Sequence, residues 1–515
     1  MIKIKKSVIA AFIGIASMSL TACGKRGEVV FWSSFGEKYT KKLDAIVADM
    51  SKELGISIEH VSKGSYPKIR KEVIDSIANS NYPGLAVGYP DHFAQYHGSD
   101  ILVKLDTYVD DEMLKDYDPN YMPENYLYDR DGTQHLYGVP FNKSTELLGY
   151  NGVFVDYCAW KYDDETLKVL PETWDEWKVA KTNPETKAGK YYSAFKDLIR
   201  NKRIVYASQY DDGTAYDFHY DAPVGEQVKV FDYTEVEESV TKLMTWDSTD
   251  NAFITLVRQF DGQYTRLPED QHSVALKRRQ GEILFANTAN LPKTINMLKT
   301  FNQMYKDDIF GTPGDIGGNY SSEAFSRGCV MFMVCSSGGL SYNTDNWSNR
   351  FRVTQIPYTD EQHKYVISQG ANICMTKNGN QDKSFKVMKA LTTGKFQTRW
   401  AIETGYFPAS NTSADSEEYQ NFLKDTSYEN KTLVAYREGA QINENKYRKG
   451  GWNRFVDDAF IGSAIVREQV GYILPNVLKN VTNVNDDNAY KAELRNVLNG
   501  EQIKNNINIK VDSAL

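Results

Sequence analysis

The chain has 515 residues, 41% of them hydrophobic, and a formal charge of −8. That length suits two or more lobes with sizeable cores, and the net acidity disfavours nucleic acid as a partner. Aromatic residues make up 13% of the chain, with 34 Tyr, enough to fill cores and also to line a binding cleft.

The chain opens with Lys3, Lys5 and Lys6, an apolar run from Val8 to Leu20, and then Thr21-Ala22-Cys23. A basic start, a short apolar core and small residues at a cleavage point make a secretory signal. The run is shorter than the ~20 residues of a membrane-spanning helix. The competing reading is a buried helix with Cys23 in a core, but core helices rarely begin with three lysines. The pattern resembles the lipobox of bacterial lipoproteins. That resemblance implies a signal peptide over residues 1–22, a diacylglyceryl thioether on Cys23, and a protein held by lipid on the extracytoplasmic face of the cell membrane. Loss of residues 1–22 takes the formal charge to −11. No later stretch approaches membrane-spanning length, so the remainder is expected to be soluble.

Glu28–Trp32 reads as a strand and Ser33–Gly36 as a helix start, with Leu43, Ile46, Val47 and Met50 at helical spacing. Ile56–Val61 alternates like a strand. Tyr66 and Pro67 open a helix carrying Ile69, Val73, Ile74 and Ile77, and Leu85–Val87 is the next strand. This alternation predicts an α/β domain with a largely parallel sheet. Ligands of such sheets lie at the carboxyl ends of the strands, which gathers Trp32–Ser34, Lys63–Tyr66 and Tyr89–His92. A second region begins near Pro140. Thr173 with Glu176 reads as a helix cap. Residues 181–240 read as loops and short strands, and Phe325–Met333 and Phe351–Pro357 as strands. Ser384–Leu391 and Phe396–Glu403 read as helices, and Glu501–Leu515 as a mobile tail. Cys329 and Cys335 flank an apolar run that reads as a strand, too long for a disulfide to bridge. Those two, with Cys158 and Cys374, are expected as buried thiols, a long-range Cys158–Cys374 pair being the remaining option.

Several segments in order resemble the extracellular solute-binding proteins of ATP-binding-cassette (ABC) importers, the group that takes sugars and glycerol phosphates. They are Val30-Phe-Trp-Ser-Ser34, Lys63-Gly-Ser-Tyr66, Asp91–Tyr96, Tyr137–Thr145, Leu148–Asn151, Pro171–Trp177, Phe325–Gly328, Ser336-Ser-Gly338, Gln369–Asn372 and Thr404–Ala409. The resemblance implies an α/β, two-lobed, periplasmic-binding-protein-like (type II) fold, with a hinge and an inter-lobe cleft. It places 28–139 and 351–410 in the first lobe and 140–350 and 411–515 in the second, with Pro140 and Pro357 near the crossings. Residues 181–240 are longer than the family pattern and put the second-lobe cleft wall in question.

Sugars are bound by aromatic faces and by planar polar groups that fork onto hydroxyls. By resemblance, Asp91 matches a carboxylate that contacts sugar hydroxyls, and Tyr66 a ligand-contacting tyrosine. Asp91 equally suits a helix cap, and Tyr66 a packed loop aromatic. Trp32 and Ser34 lie on the first strand-end loop. Ser144 and Thr145, and Ser336 and Ser337, match polar pairs that suit sugar or phosphate. Gly370 would let backbone approach the ligand, though turn geometry explains it as well. Tyr406 is the strongest aromatic candidate, and Trp246, Phe253 and Trp452 are weaker ones. Arg448 and Arg454 fall where a glycerol-phosphate binder places an anion-binding arginine, or are solvated charges. His92 and His97 are spaced wrongly for one helix face, so no metal site is expected, and no cofactor is implied. Gly311–Gly318 lacks the Gly-Lys-Ser/Thr ending of a phosphate loop and reads as flexible.

The expected function is a lipid-anchored, monomeric receptor that captures a mono- or oligosaccharide and delivers it to a membrane permease, without catalysis. The runner-up ligand is glycerol 3-phosphate or a glycerophosphodiester. A lipid-anchored glycoside hydrolase, which needs two carboxylates ~5–10 Å apart, is the enzymatic alternative.

Overall fold

The computed structural model describes residues 27–267, 280–344, 350–425 and 431–515. The signal segment and Cys23 lie outside the described residues. Strand Val29–Ser33 runs parallel to Ile58–Ser62 on one side and Leu85–Gly88 on the other. Its side chains alternate between faces, as a pleated strand requires. Val29 and Phe31 join a core with Leu43, Ile46 and Met50 of the helix Glu37–Leu54. Val30 and Trp32 join the opposite core with Ile69 and Val73 of the helix Tyr66–Asp75. Ser65 caps that second helix by accepting from Lys68 N, and Pro67 sits in its first turn, where its missing N–H costs nothing.

Two long strands, Gly138–Asn151 and Tyr365–Met375, carry the chain between lobes. They pair antiparallel, from Cys374 opposite Gly138 to Ser368 opposite Thr145. Phe141 and Ala371 belong to the first-lobe core, whereas Leu147 and Ile367 belong to a larger second core. The crossings therefore lie at 142–146 and 368–370, the first just after Pro140 and the second well after Pro357. Beyond them, Glu146–Tyr150 pairs antiparallel with Phe332–Ser336, which lies parallel to Met244–Trp246. A third passage of chain runs from Trp400 in the first core to Ala435 in the second.

Phe351, Val353, Ile356, Tyr358, Val366 and Ile367 pack in the larger core, although the sequence division puts 351–410 with the first lobe. The strand Phe351–Thr354 pairs with Leu148–Asn151, and that pairing holds it there. Phe325 is not in a strand. It lies in the helix Ser321–Ser326, packs edge-on against Phe351, and is cut off from the strand by Gly328 at φ +72°. Residues 181–240 hold the helix Lys187–Arg200 and a three-stranded antiparallel sheet of Ile204–Gln209, Ala215–Tyr220 and Val228–Asp232. The tail is ordered by pairing: Ile509–Val511 runs parallel to Gly281–Ile283, and Lys510 pairs with Glu282. Cys158, Cys329, Cys335 and Cys374 are buried free thiols.

Candidate functional site

The loops that follow the three parallel strands face the second lobe, as the topology requires. Tyr66 and Tyr89 meet there at a tilt of 42° with centroids 4.4 Å apart, and Asn142 Nδ2 donates to the Tyr66 hydroxyl at 3.1 Å. Tyr406 is half-buried, lies flat on Trp400 at 5.9 Å, and presses its edge on Gly338, where a Cβ would fall 2.6 Å from the ring. Burial raises the Tyr66, Tyr89 and Tyr406 phenols above their ordinary value, so all three are neutral donors at physiological pH.

The other residues singled out from sequence divide by position. Ser34 is buried on the first loop, and Trp32 faces the first-lobe core with Lys63 Nζ 3.7 Å above its ring. Thr145 donates its hydroxyl to Ile367 O at 2.9 Å and its N–H to Ser337 Oγ at 3.3 Å. Thr145 and Ser337, with Ser144 beside them opposite Gln369, therefore brace the crossing. Gly370 has φ +93°, and a Cβ there would sit 1.9 Å from Asn142 O. Close packing of the two crossing strands thus suffices to require glycine.

Trp246 and Trp452 line neither of the two inter-lobe cavities. Trp246 is fully buried against Trp174 and gives its indole N–H to Glu146 Oε1 at 2.8 Å. Trp452 packs edge-on to Tyr447 and Tyr358 in the larger core. Both are large apolar surfaces that the second core absorbs. Arg448 and Arg454 converge on Asp118, at 3.4 and 3.7 Å, and Arg448 also binds Glu444.

Two cavities open along the lobe interface. The outer one, about 450 Å³, lies between Gly36 and Gly64 of the first lobe and Asp247, Ser336 and Tyr342 of the second. The inner one, about 190 Å³, lies between Tyr89, Asp91 and Glu124 on one side and Asp250, Tyr264 and Arg467 on the other. Ser368, Gln369 and Gly370 of the crossing strand also line it. No residue of 181–240 lines either cavity.

Arg467, on the helix Ser463–Val470, holds Asp250 at 2.9 Å and Asp457 at 2.8 Å and also binds Asn251. Burial pushes the Asp457 carboxyl up to about 6 against the pull of Arg467. Among the described residues, the Tyr264, Thr265 and Ser368 hydroxyls and Gln369 Oε1 are buried without hydrogen-bond partners. Unpaired buried polar groups are costly and call for an explanation. Here they line one cavity, next to tyrosine rings and carboxylates, an arrangement that can hold the hydroxyls of a polar small molecule.

Of the residues named from sequence, Asp91 and Gly370 line the inner cavity and Ser336 the outer one, whereas Tyr66 and Tyr406 line neither; Tyr264, Asp250, Asp457 and Arg467 line the inner cavity and were not named. The adjacent acids Asp457-Asp458 were a visible signal. Arg467 carried none, since one arginine on an amphipathic helix looks like a surface charge.

Two lobes joined by crossing strands, with a polar cavity between them, define a ligand-binding protein of the periplasmic type. The chain belongs to the bacterial extracellular solute-binding protein family, whose model matches residues 45–426. Solved structures share the fold at low identity. UgpB from Mycobacterium tuberculosis, in complex with glycerophosphocholine, is 14% identical with a TM-score of 0.62, covering 91% of this chain and 97% of that one. The GacH receptor of Streptomyces glaucescens, solved with acarbose, is 12% identical with a TM-score of 0.61, covering 91% and 98%. The maltose/maltodextrin-binding domain MalE from Bdellovibrio bacteriovorus, bound to maltotriose, is 14% identical with a TM-score of 0.57, covering 92% and 99%. No curated protein matches the chain. Among the described residues no helix is long and apolar enough to cross a membrane.

Proposed function

We propose that this protein is a receptor of an ABC importer, anchored by lipid on Cys23, that captures a mono- or oligosaccharide between its lobes and passes it to a membrane permease. The observation that carries this reading is the inner cavity, where four partnerless buried polar groups stand beside Tyr89 and Asp91. Hydroxyl-rich ligands answer such groups, and aromatic rings pack on sugar C–H faces. The sugar and acarbose complexes of the same fold support the choice. Tyr66, Asp91, Gly370, Ser336 and Tyr406 are the proposed contacts from the sequence, joined by Tyr89, Tyr264, Gln369 and Arg467.

Nothing in this role needs to react. A ligand touching both lobes favours the closed form by its differential affinity for that form. Contacts already bridge the lobes: Tyr39 donates its hydroxyl to Gly338 O at 2.7 Å, and Arg454 meets Asp118. A phosphate ligand would need a free cation, whereas Arg467 is committed to two carboxylates. Equilibrium dialysis with labelled oligosaccharides, followed by chromatography of the bound material, tests the reading. Intact sugar retained at one site per chain supports it, and release of shorter sugars contradicts it in favour of a hydrolase.

A further inference from the structure

We infer that the inner cavity selects a polyhydroxylated ligand bearing a protonated amine, an amino sugar, over its neutral or anionic counterparts. This rests on the carbohydrate-receptor reading above and narrows its ligand class. The first observation is a charge imbalance. Asp91, Glu124, Asp250, Asp457 and Asp458 line the cavity, and the guanidinium of Arg467 is the cation among them. Lys143 answers Glu124 from behind the wall, and Arg258 acts on Asp458. Arg467 is divided between Asp250 and Asp457. Among the described residues, these five carboxylates thus meet Arg467, Lys143 and Arg258, with Arg70 acting on His92 beside Asp91.

Asp91 accepts the His92 backbone N–H at 2.9 Å in the first turn of the helix Pro90–Gly98 and feels Arg467 at a distance, but no cationic side chain among the described residues is in ion-pair contact with it. Among the described residues its ion-pair contact is the neighbouring ring of His92, with Nε2 at 3.8 Å. Burial lowers His92 to about 4, so that ring is neutral at physiological pH and offers no charge. The Asp91 side chain is 15% exposed and lines the cavity. It is a carboxylate placed to receive a charged donor, and such hydrogen bonds are the stronger kind.

The second observation is independent of the acids. Tyr264, Thr265, Ser368 and Gln369 are 2%, 5%, 9% and 9% exposed, line this same space, and each carries an oxygen with no hydrogen-bond partner among the described residues. A ligand is therefore expected to bring several hydroxyls. Tyr89 and Tyr264 in the same lining add ring faces, which attract an ammonium. An anionic polyol would meet the hydroxyls but be repelled by the excess carboxylates.

Matched ligands test the inference, because they differ in charge and little else. Calorimetric titration of the purified protein would compare glucosamine and its β-linked disaccharide with the N-acetylated forms, glucose, and glycerol 3-phosphate. The amines are expected to bind at least about tenfold more tightly than the acetylated forms. Asp91→Asn should remove most of the ratio between amine and acetylated affinities, whatever it does to the affinity of either alone. Should the variant fail to fold, salt decides: affinity for the amine falls as ionic strength rises, and affinity for the neutral sugar does not. Equal binding of amine and neutral sugar, or a preference indifferent to salt, overturns this inference and leaves the carbohydrate receptor standing. Binding of no sugar overturns both readings, most plainly if glycerol 3-phosphate binds instead.

Discussion

Tyr406 and Glu146 make opposite demands on their surroundings. Tyr406 lies beside Tyr66, stacked on Trp400 and tilted against Phe35 and Tyr39, and is proposed to meet ligand when the lobes open. Tyr406→Ala is expected to weaken ligand binding about tenfold or more, roughly 1.4 kcal/mol. Unchanged affinity in a folded variant, measured by calorimetry, would remove Tyr406 from the site. Glu146 is buried at the first crossing, where desolvation pushes its carboxyl from an ordinary 4.5 up to about 8, against the hydrogen bond from Trp246. Between those values the folded chain keeps a proton that the unfolded chain releases. The stability this group contributes is fully present below pH 4.5 and is lost as pH rises through about 8. Glu146→Gln, which keeps an acceptor for Trp246, should flatten the fall in stability across that window. Urea midpoints at several pH values check it, and an unaltered slope would show that Glu146 is not the group responsible.

At the scale of elements, the crossings carry the greatest constraint. Lys143, with no exposed side-chain surface, pairs with Glu124 and donates to Gly370 O at 3.0 Å, so one ammonium pins both crossing strands and the loop at 124. Breaking a buried pair by removing one partner leaves an uncompensated charge, a cost of about 3–5 kcal/mol. Lys143→Met should therefore lower stability by that amount, while the double change with Glu124→Gln should recover part of it. Equilibrium denaturation of the single and double variants would show whether the pair is coupled. The crossing strands were partly legible from sequence, because Tyr137–Thr145 and Gln369–Asn372 fall on them, but their pairing was not: the contact is long-range and set by register. The helix Lys187–Arg200 was missed for another reason. Its buried face, with Tyr191, Phe195, Leu198 and Ile199, does follow helical spacing, but it is short and set in a long polar, Tyr- and Asp-rich stretch that masks it. Trp246 and Trp452 misled because aromatic residues fill cores as readily as they line clefts, and nothing local separates the two uses. Strand-end loops were legible because a parallel sheet fixes where its loops go, whereas Arg467 becomes part of the cavity only when the C-terminal helices fold back onto the second lobe.

The whole molecule is two lobes joined by three passages of chain, with four of the partnerless polar side chains lining the cavity where the lobes meet. That distribution separates stability, which resides in the cores, from ligand recognition, which resides between them. It also predicts that a ligand acts on the folded form as a unit. A thermal-shift screen against mono- and oligosaccharides, amino sugars and glycerol phosphates tests this most directly, because a ligand that binds only the folded state raises the melting temperature by mass action. The account predicts a concentration-dependent rise with a carbohydrate class and none with glycerol phosphates. A rise with glycerol phosphates alone would contradict it.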